Sequence, residues 1–208
     1  MTTGSARDEV LARIRHALSA SPTEPIEPVR GYRRTGQYSP GAPQLLDRLT
    51  ERLTDYRAAV HAATPRTLVS VLEAALDGTR RVLVPPGLPA EWIPASAVID
   101  DGGMSPAELD AVDAVLTACT AAAADTGTIV VDASPDQGRR AITLIPDRHV
   151  CVVRAAQVVQ TVPELLSRVD PHKPLTFISG PSATSDIELR RVEGVHGPRT
   201  LIVVLLSD

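Results

Sequence analysis

Two stretches of the chain gather the small and hydroxyl residues that hold anions, and a third supplies a histidine. In ADTGTIVV, Asp125, Thr126, Gly127 and Thr128 lead into an apolar run. Gly127 permits close approach of a ligand to the backbone, and the flanking hydroxyls donate to carboxylate or phosphate oxygens. The same residues also suit a glycine helix stop followed by a threonine-rich strand start. In SGPSATSDIE an apolar strand ends at Ser179 and Gly180, and Ser182, Thr184, Ser185 and Asp186 follow before the next apolar residue. Backbone N–H groups at such a turn, together with several hydroxyls, form a neutral anion cradle. Residues of these types equally cap a short helix. No Gly-Lys-Ser or Gly-Lys-Thr follows the glycine, so this is not a phosphate-binding P-loop.

His196 stands in Gly194-Val195-His196-Gly197-Pro198, between two glycines and just before the last strand. A histidine there can serve as acid or base near neutral pH, or be an ordinary surface residue. His149, in PDRHVCVV, opens another strand and makes a similar but weaker claim. Glu188, the carboxylate nearest the cradle, is a nucleophile, a base or a helix-surface charge. Arg190, Arg191 and Arg199 offer bidentate grips on a carboxylate, against the default of exposed or salt-bridged arginine.

The elements that must position these residues follow from hydrophobic periodicity. Val10, Ile14 and Leu18 recur at spacing four, so residues 1–20 contain an amphipathic helix whose apolar stripe needs a dock on its own core, a neighbouring subunit or another protein. Residues 21–43 are rich in proline and glycine and read as an extended linker. Over 44–208 a helical pattern runs from Pro43 to about His61, and a second through Leu68, Val69, Leu72 and Leu76 to Gly78. RRVLVPPG, SAVID, AVLTA, TIVVD, HVCVV, LTFIS and LIVVLL read as strands, with helical pieces in PAELD, ACTAAAAD, GRRAI and VPELLSRV. Near-continuous Val/Leu/Ile strands separated by helices specify an α/β domain with a largely parallel sheet covered on both faces. Ligands in such sheets sit beyond the carboxyl ends of the strands, so the turns leaving strands matter most.

Composition excludes several classes. The 208 residues carry a net charge of −4 and only 2% aromatics. No Lys/Arg block and almost no stacking platform are present, so nucleic acid is not an expected partner. The longest apolar runs fall far short of the roughly 20 residues that span a bilayer, and MTTGSARDEV lacks the apolar core of a signal peptide. A soluble, cytoplasmic protein without a membrane partner is expected. Cys119 and Cys151 are the only cysteines, so the chain alone supplies neither an iron–sulfur cluster nor a cysteine-based zinc site, and no metal ligand set is singled out.

Taken in order, ARDEVLARIRHAL, ADTGTIVV, PDRHVCVV, SGPSATSDIE and EGVHGPRTLIVVLL resemble the LUD-domain proteins, specifically the lactate utilisation protein C group, over nearly the whole chain. That resemblance implies a three-layer α/β/α fold similar to the NagB/RpiA/CoA-transferase scaffold. It implies action with two iron–sulfur partner proteins in oxidising L-lactate to pyruvate. It also implies that Thr126, Gly127, Thr128, Ser179, Gly180, Ser182, Thr184, Asp186, Glu188, His196 and Gly197 line a shared site. The family usually has a basic residue between the Ser and Thr of its GPSxT motif, where this chain has Ala183. If that residue grips an acidic ligand, the grip here is weaker or falls to another arginine.

Oxidising a 2-hydroxy acid takes a grip on the carboxylate, a base for the hydroxyl proton and an acceptor for two electrons. Arginine supplies the first and His196 the second, but neither a cysteine cluster nor a GxGxxG fingerprint supplies the third. The expectation is therefore a subunit without a redox centre, binding a small carboxylate or phosphate or organising iron–sulfur partners, possible as a homo-oligomer. An independent transferase-like or sugar-phosphate enzyme built on Glu188, and a pure assembly factor docking through the N-terminal helix, are the alternatives.

Overall fold

The computed structural model describes residues 5–19, 27–184, 192–194 and 196–207. Its chain divides into two compact units, Met1–Tyr32 and Arg33–Asp208. Of the expected linker, residues 21–26 lie outside the described residues, as do the site residues Ser185, Asp186 and Glu188 and the arginines Arg190 and Arg191.

The first unit holds helix α1 (Ala6–Ser19), opened by a reciprocal pair of hydrogen bonds between Ser5 and Asp8. Val10, Ile14 and Leu18 on its apolar stripe are all exposed. The second unit runs α2 (Pro43–Asp55), β1 (Ala59–Ala63), α3 (Leu68–Ala75), β2 (Val82–Val84), β3 (Ala97–Ile99), α4 (Pro106–Asp110), β4 (Ala114–Thr117), β5 (Ala121–Ala123), β6 (Thr128–Val131), α5 (Arg140–Leu144), β7 (Arg148–Arg154), β8 (Val158–Val159), α6 (Val162–Leu166), β9 (Thr176–Ile178), β10 (Ala183–Thr184), β11 (Val192–Glu193) and β12 (Thr200–Leu206).

A six-stranded sheet in the order β1-β12-β7-β4-β2-β3 forms the centre, and every pairing in it is parallel. Alternation along β7 and β12 feeds two cores. Val150, Val152, Ile202 and Val204 face α3 and Trp92, whereas Cys151, Val153, Leu201 and Val203 face α2. Helices α4 and α5 close the α2 side over β2 and β4 through Leu109, Val112 and Ile142. The fold is thus α/β, with helices on both faces of a parallel sheet.

Three sequence expectations need correction. First, TIVVD and LTFIS do not join the central sheet: they are β6 and β9 of a second sheet ordered β8-β5-β6-β9, in which both pairings of β6 are antiparallel. This sheet shares the α2 core and is covered on its other face by α6 through Leu165. Second, ACTAAAAD is not a helix. Ala121, Ala122 and Ala123 form the inner strand β5, fully buried between β6 and β8, and Ala124–Thr126 is a single 3₁₀ turn. Alanine has the best helix propensity, but at this place its small size lets α2 and α6 approach the sheet from either side. Third, the first helix of this unit stops at Asp55. Arg57 takes the left-handed conformation at φ 69°, and Ala58 N–H donates to the Leu53 carbonyl while Arg57 N–H donates to that of Thr54. These bonds make a Schellman stop with arginine where glycine is usual, so residues 59–63 are free to pair with β12 as β1.

Part of the expected linker belongs to the second unit. Gln160 Oε1 accepts from the backbone N–H of Gln37 at 2.6 Å, and Gly41 N–H donates to the Val158 carbonyl at 2.9 Å. These bonds lay residues 36–41 along β8 just before α2 begins.

Candidate functional site

Ser182 is the knot between two of the motifs. Its N–H donates to the Pro198 carbonyl at 2.8 Å, its carbonyl accepts from Gly194 N–H at 3.0 Å, and its hydroxyl oxygen accepts from His196 N–H at 3.1 Å. The turn leaving β9 and the turn entering β12 are therefore one structure, although 14 residues separate Ser182 from His196. Gly197 packs on Ser182 Cβ at an ordinary 3.5 Å from its own would-be Cβ. Ala183 and Thr184 continue as β10, paired antiparallel with Glu193 and Val192.

The ADTG motif joins the same structure through hydroxyls. Thr126 Oγ1 lies 2.8 Å from Thr128 Oγ1, which lies 2.9 Å from Ser179 Oγ at the end of β9. Gly127 of this motif and Gly180 of the SGPSA motif serve packing. Gly127 (φ 61°) has no room for a Cβ, which would fall 2.7 Å from Arg52 Cβ on α2, and a Cβ on Gly180 (φ 93°) would fall 2.6 Å from Tyr56 Cβ just past that helix. The close approach these glycines permit is that of α2 and its exit, where the sequence suggested a ligand. Asp125 is likewise engaged by α2, as the ion-pair partner of Arg48.

Beside these turns lies a cleft of about 180 Å³. Ser179, Gly180, Ser182, His196 and Gly197 line it together with Leu144, His149, Phe177 and Leu201. Thr126, Gly127 and Thr128 do not line it; they hold Ser179 from behind. A second, polar recess of about 560 Å³ shares Leu144, His196 and Gly197 and adds Asp110, Asp147 and Arg199. His196, which is exposed, thus stands on the ridge between the two. Arg199 is ion-paired to Asp147 at 2.6 Å. Among the described residues no group of three His, Cys, Asp or Glu side chains is arranged to hold a metal ion.

The position of the cleft departs from the usual rule. His149 and Leu201 open β7 and β12, so the cleft lies at the amino ends of the central strands. The carboxyl ends of β2 and β4 are roofed by the segment 132–139: Ala118 N–H donates to the Asp136 carbonyl at 3.0 Å, and Gly87 N–H to that of Pro135 at 2.9 Å. A Cβ on Gly87 would lie 2.5 Å from Pro135, so the roof sits directly on the turn after β2.

His149, to which the sequence gives the weaker claim, is placed in the interior. Only 1% exposed, it forms part of the cleft wall, with Nε2 at 2.8 Å from the hydroxyl of the fully buried Thr117. Burial pushes its pKa down from 6.5 to about 4, because an imidazolium would lose its hydration there. At neutral pH the ring is uncharged.

Comparison with known proteins bears on the whole arrangement. The LUD domain profile matches residues 106–206, the span from α4 to the end of β12 that contains every motif of the site. Lactate utilization protein C of Deinococcus radiodurans is 44% identical, the alignment covering 99% of this chain and 98% of that protein. The chain belongs to the LUD-domain family. Lactate utilization protein C of an Exiguobacterium species is 38% identical over 46% of this chain and 45% of its own. The crystal structure of a DUF162 family protein from Deinococcus radiodurans superposes with a TM-score of 0.68 at 40% identity, covering 78% of this chain and 96% of that one. The LUD fold described above is therefore shared with a solved relative.

Proposed function

We propose that this chain takes part in lactate utilisation as the component of an L-lactate-oxidising system that binds the organic acid, carries no redox centre of its own, and works with iron–sulfur partner proteins. The observation that carries the reading is the convergence of the SGPSA and VHGPR turns on one small cleft, braced from behind by the ADTG hydroxyls. Drug-sized ligands occupy pockets of about 300–1,000 Å³, so a cleft of about 180 Å³ suits a molecule of a few carbons. Hydroxyls of Ser179 and Ser182 at the rim can donate to a carboxylate, and His196 beside them is placed to take the proton of a substrate hydroxyl. The names of the Deinococcus and Exiguobacterium relatives agree with a role in lactate utilisation. Two electrons leave when a 2-hydroxy acid becomes a 2-oxo acid, and Cys119 and Cys151 are too few for the usual four-cysteine cluster. Electron acceptance therefore falls to partners. Among the described residues no helix is long and apolar enough to cross a membrane, which is compatible with a cytoplasmic complex.

The test is lactate-dependent reduction of an artificial acceptor, by the purified chain alone and then mixed with iron–sulfur partner proteins. Activity only in the mixture, lost in His196→Ala, is expected. Activity of the chain alone would overturn the division of labour, and silence in the mixture would overturn lactate oxidation itself.

A further inference from the structure

We infer that His149 reads the 2-hydroxyl of the bound acid, making it a specificity-determining residue of the cleft; the inference rests on the small-acid reading above. His149 is the one buried histidine among the described residues, yet it reaches the cleft. Thr117 Oγ1 engages Nε2 and so fixes the plane of the ring. Among the described residues no buried side-chain nitrogen or oxygen is left without a partner, and Thr117 is the ring's hydrogen-bond partner at Nε2. With Nε2 engaged by Thr117 and no hydrogen bond to Nδ1 among the described residues, Nδ1 is the ring nitrogen left for a ligand in the cleft that His149 lines.

What Nδ1 can recognise follows from its surroundings. Leu144 and Leu201 line the cleft together with the ring, so a carboxylate carried inward would lose its hydration against apolar side chains and a neutral imidazole. The charged end of the ligand belongs at the rim, with Ser179, Ser182 and His196. Thr143, the other deeply buried polar side chain of the wall, donates its hydroxyl hydrogen to the Arg140 carbonyl at 3.1 Å, which leaves His149 as the inner polar group. The Thr117 hydroxyl can either donate to Nε2 or accept from it, so Nδ1 is correspondingly a donor or an acceptor. A ligand hydroxyl satisfies both cases because it also donates and accepts. A methylene hydrogen satisfies neither, and an acid lacking the hydroxyl leaves Nδ1 desolvated and unpaired.

The experiment compares L-lactate with propionate, which differs by that hydroxyl alone, in calorimetric titrations of the full chain and of His149→Phe. Wild type is expected to bind L-lactate about tenfold or more tightly than propionate, the factor that one unpaired buried polar group carries. In His149→Phe the preference for L-lactate should vanish or reverse, with propionate bound more tightly than by wild type because no ring nitrogen is left unpaired, and L-lactate more weakly because its hydroxyl has lost its partner. Should the variant fail to fold, the ring-nitrogen NMR signals of His149 in wild type decide: they should move on addition of L-lactate and stay with propionate. A wild type that binds both acids equally, a folded variant that keeps the preference, or ring signals indifferent to bound L-lactate would each overturn the role of His149 and leave the cleft reading standing. A wild type that binds neither acid would overturn both.

Discussion

The buried imidazole of His149 makes stability depend on pH in a way that can be calculated in advance. Its folded-state pKa is about 4 against an ordinary 6.5, so as the pH falls the unfolded chain takes up the proton first. Stability from this source is intact above pH 6.5, declines down to pH 4, and is fully lost below it. A displacement of that size corresponds to about 3 kcal/mol in all, of which about 2 kcal/mol disappears between pH 7 and pH 5. Glu108, Asp113 and Glu164 are held below their ordinary values by hydrogen bonds, and because a His149→Phe variant keeps all three their contribution is common to both proteins. Urea unfolding of wild type and His149→Phe at both pH values gives the measurement. Because each protein is compared with itself, the constant cost of the substitution cancels. Wild type should lose about 2 kcal/mol more than the variant over this interval. Equal losses would show that the ring is hydrated in the folded state, and would refute the reasoning from burial.

Glycine roles separate sharply by position. Gly127→Ala and Gly180→Ala should each cost about 1–3 kcal/mol in thermal or urea unfolding, since both combine positive φ with a Cβ driven into α2 or its exit. Gly197→Ala should stay within about 0.5 kcal/mol of wild type, its methyl meeting Ser182 and Leu144 at ordinary contact, yet it should weaken acid binding by narrowing the cleft. Thr128→Val, which severs the hydroxyl link from Thr126 to Ser179, should cost about 1 kcal/mol by the same unfolding assay. Asp132 is pushed up by burial, but hydrogen bonds from Ser134 and Lys173 outweigh this and hold its carboxyl below the ordinary value. Lys173→Met should raise that pKa and cost about 1–3 kcal/mol at neutral pH, with the deficit shrinking as the pH falls and the carboxyl is protonated.

How much of this was legible depended on whether the deciding interaction was local. HVCVV and LIVVLL announce buried parallel strands because both of their faces are covered, and β7 and β12 are those strands. The α2 register was equally open, with Leu45, Leu49 and Leu53 at spacing four and all fully buried. Its end was hidden, because a Schellman stop built on Arg57 lacks the glycine that marks such stops. The strand identity of Ala121–Ala123 was hidden more deeply. Nothing in an alanine run favours a strand, and only pairing with β6 and β8 selects one. That the SGPSA and VHGPR turns share a site is what the family resemblance implies, while the hydrogen bonds of Ser182 that unite them depend on the return of the chain through β12. His149 looked like a strand-edge residue, since its burial comes from neighbouring strands and from Thr117, 32 residues away.

The placement of the cleft at the amino ends of β7 and β12 follows from what the second sheet does to the domain. In an open parallel sheet the carboxyl ends are vacant because the chain leaves each strand for a helix and the turns diverge. Here the chain leaves β6 through Asp132 and crosses those ends, binding Ala118 and Gly87 by backbone hydrogen bonds before entering α5. That crossing covers the customary position at β2 and β4 and delivers Thr143 and Leu144, at the end of α5, to the opposite edge of the sheet. There they meet the strand openings at His149 and Leu201 and the turn after β9, and these elements together wall the cleft. The departure from the usual site and the existence of the new one thus have one cause. A change that loosened the roof, such as Pro135→Gly, should alter the position of α5 and weaken acid binding in the calorimetric titration, even though Pro135 does not line the cleft.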